Sequence, residues 1–263
     1  MKKHIIIIIF FIFYMHTNAQ TFIIQYSERP IISAESLEKI PEPFREKRKE
    51  AKNFSLMYSN GLSLYKAENV NEKELISKKE SEKTNEELGT VEVKTEIYKS
   101  TIKKSEKLYF KNYLEKEMLF IWPSGQENLS GRDSLQNWNW EITEETKIIE
   151  GFKCKKAISN WHNFESTAWF TEDISISIGP EKYDGLPGLI LYVYTQYYEW
   201  KAVKINQIDN NSKIDAPIFN DKKTYTINEV NDIFNKKLKN QTPSITTTQE
   251  GNTTITTEKI IIK

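Results

Sequence analysis

The side chains with the sharpest chemistry in this sequence are few. Cys154 is the single cysteine, and His162 is the one histidine of three that lies outside the first nineteen residues. As nucleophile and base the two would support thiol chemistry. With Met57 or Met118 as further soft donors they would suit a copper ion. Against both readings, Cys154 is in phase with Phe152 on an expected strand, where alternate side chains share a face. Free cysteine is among the most buried residue types, so an inert thiol in the core is favoured. One cysteine makes an internal disulfide impossible, and zinc sites built from several Cys or His ligands cannot be assembled from this inventory. A Ser-His-Asp hydrolase would also need His162, yet the Gly-x-Ser-x-Gly elbow is absent. The adjacent carboxylates Glu144-Glu145 and Glu172-Asp173 keep a two-carboxylate hydrolase as the enzymatic alternative. With 37 acidic residues in the chain, however, such pairs arise by chance.

Aromatic side chains are the richer inventory. Six tryptophans stand at 122, 138, 140, 161, 169 and 200. Trp138 and Trp140 are spaced to share one strand face. Together with Trp169, Tyr183, Tyr192 and Tyr194 they form the candidate binding set, because stacked rings line clefts for sugars, peptides or lipids. The plainer reading of the same rings is the core of a β protein.

These residues need elements to hold them, and alternation with period two dominates the chain. Phe54, Leu56 and Tyr58 alternate with polar neighbours up to Asn60-Gly61, the strongest short signal for a two-residue hairpin loop. Val91 to Ile97 alternates apolar with charged. Further strands are expected over Leu108 to Lys111, Lys116 to Trp122, Trp138 to Thr143, Gly151 to Ser159, Ser166 to Thr171, Leu189 to Ile205 and Lys222 to Ile227. Helices are few: Ala34 to Lys52 is broken by Pro41 and Pro43, and Thr226 to Asn240 carries a capping box in Thr226 and Glu229 before an apolar stripe. The charged stretch 67–89 reads as a solvated loop, and 243–263 as a Thr-rich tail that Gly251-Asn252 could turn into a hairpin.

Residues 1–19 read as a signal peptide: Lys2 and Lys3, the apolar run Ile5 to Tyr14, and the small residues of Thr17-Asn18-Ala19. Cleavage is expected after Ala19, giving a periplasmic or secreted product. Without a cysteine at the cleavage site that follows the apolar run, no lipid attachment is expected there. No later stretch reaches the roughly 20 apolar residues of a membrane helix, so no transmembrane anchor is expected in the mature chain. Loss of the leader would leave 35 basic side chains against 37 acidic, a balance that does not favour nucleic acid. No cofactor is implied.

The most distinctive stretch runs from Leu135 to Ile205. It holds spaced Trp138 and Trp140, then Cys154-Lys155-Lys156-Ala157, Ala168-Trp169-Phe170-Thr171, Gly179-Pro180 and finally Gly185-Leu186-Pro187-Gly188-Leu189-Ile190. In that order these motifs closely resemble the GLPGLI family of exported proteins of Bacteroidota. Where many relatives carry Gly-Arg before Ala-Trp, this chain has Asn163-Phe164-Glu165. The resemblance implies export and brings no catalytic residue with it. By turn chemistry, Pro187 and Gly188 suit the central positions of a type II turn launching the next strand, with Gly185 allowing close packing. A second reading makes 179–188 a rim loop at a binding mouth, presenting Tyr183.

The expected architecture is one α+β, β-dominated domain over residues 20–263. It has a large curved antiparallel sheet, one or two packed helices and the half-barrel of lipoprotein carriers as its analogy of form. The expected function is non-enzymatic binding or chaperoning of an apolar ligand, peptide or envelope protein along an apolar groove beside Leu189 to Ile205. The alternatives are a hydrolase, or a soft-metal binder through Cys154 and His162.

Overall fold

The computed structural model describes residues 21–68, 73–85, 90–102, 107–124, 127–161, 164–208, 212–219, 223–240, 245–250 and 253–258. The expected leader and His162 lie outside them.

The chain enters on β1 (Thr21–Pro30), which is followed by α1 (Ala34–Glu38) and α2 (Glu42–Lys49). The two prolines divide this region as expected, with Pro43 in the first turn of α2, where its missing N–H is no loss. Next comes the hairpin of β2 (Lys52–Ser59) and β3 (Leu62–Ala67). Its turn residues Asn60 and Gly61 both have positive φ, 49° and 75°, as a tight two-residue hairpin loop requires. After the ribbon of β4 (Lys73–Asn85) and β5 (Thr90–Ile102) the chain builds β6 (Leu108–Asn112), β7 (Glu117–Ser124) and β8 (Glu127–Ser134). It then lays down β9 (Glu141–Ile149), β10 (Phe152–Trp161) and β11 (Phe164–Thr171), followed by β12 (Leu189–Tyr194) and β13 (Tyr198–Ile208). The last elements are α3 (Ile227–Asn240), β14 (Ile245–Glu250) and β15 (Thr253–Glu258).

Eleven strands form one antiparallel sheet in the order β8-β7-β6-β3-β2-β1-β13-β12-β11-β10-β9. A second sheet of four runs β14-β15-β5-β4, with β15 parallel to β5. The large sheet does not close into a barrel, but it curls. Eight strand spacings separate β7 from β10, roughly 38 Å in a flat sheet. Yet Trp122 of β7 and Trp161 of β10 line one small cavity. The inner face carries Phe22, Ile24 and Tyr26 of β1, Phe54 and Leu56 of β2, Tyr65 of β3, Tyr109 of β6 and Met118 and Phe120 of β7, all buried. A smaller outer cluster joins Phe110 and Leu119 to Ile214.

Four expectations are corrected. The stretch 67–89 contains β4, paired with β5 along its whole length. Charge argues against burial, but a strand needs only its backbone groups paired, and β5 pairs them. Leu189 to Ile205 is two strands: Thr195 turns the chain, its N–H donating to the Tyr198 carbonyl at 2.8 Å. Trp138 and Trp140 precede β9, which begins at Glu141. The strand expected over Lys222 to Ile227 reduces, within the described residues, to one bridge at Tyr225, which covers the edge of β8 at Gly131.

Helix α3 starts where the capping box placed it. The Thr226 N–H donates to Glu229 Oε2 at 2.8 Å, and the Glu229 N–H donates back to Thr226 Oγ1 at 3.3 Å. Asp133 of β8 accepts from the Ile227 N–H at 2.9 Å, tying the helix to the sheet. Thr226→Ala removes the acceptor and is expected to lower stability by about 1 kcal/mol in urea unfolding; an unchanged midpoint would mean that Asp133 alone caps the helix.

Candidate functional site

Between β11 and β12 the chain leaves the sheet, and residues 178–184 run through the interior. A turn closes as the Tyr183 N–H donates to the Pro180 carbonyl at 3.0 Å, and the Ile190 N–H reaches the Ile178 carbonyl at 2.9 Å. Glu181 sits in this turn at a φ of 47°, a left-handed conformation that side chains with a Cβ adopt at a cost of roughly 1–2 kcal/mol. The rim-loop reading of 179–188 is therefore overturned, since its charged and aromatic side chains point inward.

Gly185 and Gly188 exchange their expected roles. Gly185 carries the positive φ, 84°. Gly188 does not; its N–H donates to the Leu186 carbonyl at 2.8 Å, a tighter closure than a type II turn. What Gly188 supplies is room, because a Cβ there would lie 2.0 Å from the Thr171 carbonyl oxygen.

The buried segment brings three charges to the inner face. Lys107, 5% exposed, donates to both oxygens of Glu28 at 2.8 and 2.7 Å and to Glu181 Oε1. Trp200 Nε1 also bonds both carboxylates, at 3.1 and 3.2 Å. Lys182 lies 3.5 Å from Glu181 Oε2. One step along, Lys111 bonds Asp184 at 3.0 Å and the Tyr183 carbonyl at 2.9 Å. Three carboxylates and three ammonium groups thus share the interior, a neutral set, as burial of charge demands.

Their electrostatics differ. Burial pushes Glu28 up more than Lys107 draws it down. Glu181 meets the same burial, but Lys107 and Lys182 together hold it below the ordinary carboxylate range. Burial lowers Lys182 against the pull of Glu181, whereas for Lys107 the two carboxylates outweigh burial and raise it.

Above this floor lies a cavity of about 60 Å³. Its walls are Trp122 of β7, Trp161 of β10, Phe164 of β11, Tyr198 and Trp200 of β13, with Trp138, Tyr183 and Tyr197 from connecting segments. Glu181 and Lys182 form the floor, and Asn231 and Phe234 of α3 cover the top. Phe234 meets Trp122 and Tyr197 edge to face, with centroids 6.0 and 5.9 Å apart. Trp138 stacks on Tyr183 at 4.6 Å, and its indole N–H donates to the Lys182 carbonyl at 3.2 Å.

Of the six aromatic residues singled out in the sequence, Trp138 and Tyr183 line the cavity. Trp140 stands beside it, 5.4 Å from Trp138, with its N–H on the Asp184 carbonyl at 2.8 Å. Trp169, Tyr192 and Tyr194 lie elsewhere: the Lys147 ammonium sits over Trp169 at 4.0 Å and over Tyr192 at 4.5 Å, and Tyr192 meets Tyr194 at 5.5 Å. The bulky residues of Leu189 to Ile205 thus serve two faces, and the expected groove contracts to the cavity beside Thr195 to Trp200. Cys154 is buried, with its Sγ 3.6 Å from the Phe152 carbonyl, and burial pushes its thiol up to about 11. A thiol so raised is a poor nucleophile at neutral pH. Among the described residues no three His, Cys, Asp or Glu side chains converge as a metal site requires. The carboxylates read from the sequence face solvent, where Glu145 pairs with Lys156 and Glu172 with Lys155.

Residues 160–192 match a family described as "Protein of unknown function (Porph_ging)". That stretch contains Trp161, Phe164, Glu181, Lys182 and Tyr183 of the cavity. Among solved structures the chain is similar to two titled "Structure of PNGF-II in C2 space group" and "Structure of PNGF-II in P21 space group". Identities are 16% and 15%, and each has a TM-score of 0.48 over 88% of this chain. The match covers 35% of those chains, so this chain spans about a third of their length. No curated protein matches it.

Proposed function

We propose that this protein is an exported, non-enzymatic binding protein whose aromatic cavity anchors one small side chain of a peptide or partner protein. The observation that carries the reading is the cavity itself, walled by rings from several strands and covered by α3. Its size selects among ligands. At about 60 Å³ it is well under half the roughly 150 Å³ of a cavity that takes benzene. A lipid chain does not fit; a short side chain does, at the tip of an extended segment. Export through residues 1–19 belongs to this reading and rests on the basic, apolar and small-residue pattern of that leader. Among the described residues no helix is long and apolar enough to cross a membrane.

The reading is tested by filling the cavity. Phe234→Trp enlarges the side chain of α3 that caps it, and a displayed peptide library selected on the chain from Gln20 supplies binders. Excluding one buried apolar side chain removes about 1.5–3 kcal/mol, so the selected peptides are expected to bind the variant ten- to a hundredfold more weakly at an unchanged thermal midpoint. Equal binding by the variant, or a library that yields no binder, would overturn the proposal.

A further inference from the structure

The cavity is held by strands at its sides and by α3 on top. Trp122, Trp161 and Trp200 stand on β7, β10 and β13, each paired with a neighbour on both sides, so none of these walls moves without breaking ladder hydrogen bonds. The floor is fixed by the buried ion pairs of Lys107. Helix α3 is secured at its start. The Tyr225 N–H donates to the Ser130 carbonyl at 3.0 Å, the Arg132 N–H donates to the Tyr225 carbonyl at 3.1 Å, and Ile227 and Val230 are 0% and 1% exposed. After Val230 burial falls off: Asn231, Ile233 and Phe234 are half-buried, and Asp232 and Lys236 are exposed. The run Asn231-Asp232-Ile233-Phe234-Asn235 consists wholly of weaker helix formers, and Asn and Asp side chains compete for backbone hydrogen bonds. A helix of this length owes its stability to packing, and in α3 the packing is concentrated in the first turn.

Resting on the binding reading above, we propose that α3 is the gate of the cavity: its turns after Val230 unwind while its first turn stays on β8, and the peptide side chain enters where Phe234 withdraws. Phe234 is the latch, set edge to face on Trp122 and Tyr197. Opening costs the contacts of three half-buried side chains and the intrahelical bonds of weak formers. The strands beside it would have to give up a ladder, so α3 is the least stably held backbone around the cavity. Closing over a bound side chain returns Phe234 to its two rings and excludes water, so one motion governs both entry and exit. A change that favours the open helix without touching the cavity therefore speeds binding and release together and leaves affinity where it was.

Lys236→Gly is such a change: Lys236 is exposed and does not line the cavity, and glycine there weakens the helix by its propensity alone. Hydrogen–deuterium exchange with mass spectrometry is run on the chain from Gln20. Amides of residues 231–236 are expected to exchange about a hundredfold faster than those of β13. In Lys236→Gly they are expected to exchange about threefold faster again, with β13 unchanged. For peptides from the display selection, stopped-flow association and dissociation are both expected to rise about threefold in the variant, at an unchanged Kd. Exchange in α3 as slow as in β13, or peptide rates unmoved while exchange rises, overturns the gate and leaves the binding reading in place. If no peptide is selected, the binding reading fails; fast exchange then still shows that α3 opens, and slow exchange shows that it does not.

Discussion

Lys107→Met is expected to destabilise the protein by about 3–5 kcal/mol, because it leaves two buried carboxylates without the cation between them. Glu28 and Glu181 are 2% and 0% exposed, so water cannot replace the lost ammonium. The methionine fills most of the lysine volume, and hence the loss reports charge rather than packing. The pH dependence separates the two. In the parent, Glu181 is held below its ordinary value by Lys107 and Lys182 against burial. A depressed folded value gives stability that is present above the unfolded value and is lost as pH falls through the folded one. Acid therefore weakens the parent through this group. In the variant burial is opposed by less positive charge, both carboxylates rise, and protonation relieves them. The deficit between variant and parent is expected to be largest near neutral pH, to shrink as pH falls through the raised carboxylate values of the variant, and to shrink further below the ordinary value of 4.5 as the parent loses what Glu181 contributes. Guanidinium unfolding at about pH 7 and about pH 4 measures it, and equal deficits at both would show that the triad does not act through charge.

Gly188→Ala carries the second large expectation. The added Cβ would fall 2.0 Å from the Thr171 carbonyl oxygen and 2.7 Å from its carbon. Both are backbone atoms of β11, and Thr171 is buried in register with Leu189, so no rotamer change gives way. Overpacking a tight interior typically costs 1–3 kcal/mol, and obstruction by main chain places this substitution at about 3 kcal/mol. Gly151→Ala is the control: its φ of 84° makes alanine strained, yet nothing lies within 4 Å of the new atom. There only the conformational term remains, about 1–2 kcal/mol. Thermal unfolding should rank Gly188→Ala clearly below Gly151→Ala. The reverse order would mean that the β11 backbone at Thr171 gives way to the new atom.

The local elements were largely legible. Asn60-Gly61 demands positive φ twice, Thr226 and Glu229 cap one another within a single turn, and Pro41 and Pro43 let a helix begin but not run through them. Each of these is decided by neighbours a few residues away. The aromatic set was legible in type but only in part by position: Trp138 and Tyr183 meet at the cavity, whereas Trp169 and Tyr192 enclose Lys147 elsewhere. A run of rings on a strand announces burial but not which side of the sheet will have a partner.

The charged floor was not legible. Lys107, Tyr109 and Lys111 stand two apart beside and along β6, a spacing that by itself describes the solvated face of a strand. Glu181, Lys182 and Asp184 lie between Gly179 and Gly185 and read as an ordinary polar loop. A signal was present in the closeness of those three charges to the glycines and to Pro180, but nothing in it names Glu28, whose partner Lys107 is 79 residues away in the chain. By itself the sequence determined the β-dominated class, the antiparallel hairpins and the aromatic supply, because these follow from side-chain alternation and turn chemistry. The tertiary structure alone decided that an eleven-stranded sheet curls until β7 and β10 share a cavity, and that a charged segment fills its hollow. The reason is physical: a charge is tolerated inside only beside its counter-charge, and that pairing exists only after distant strands have met.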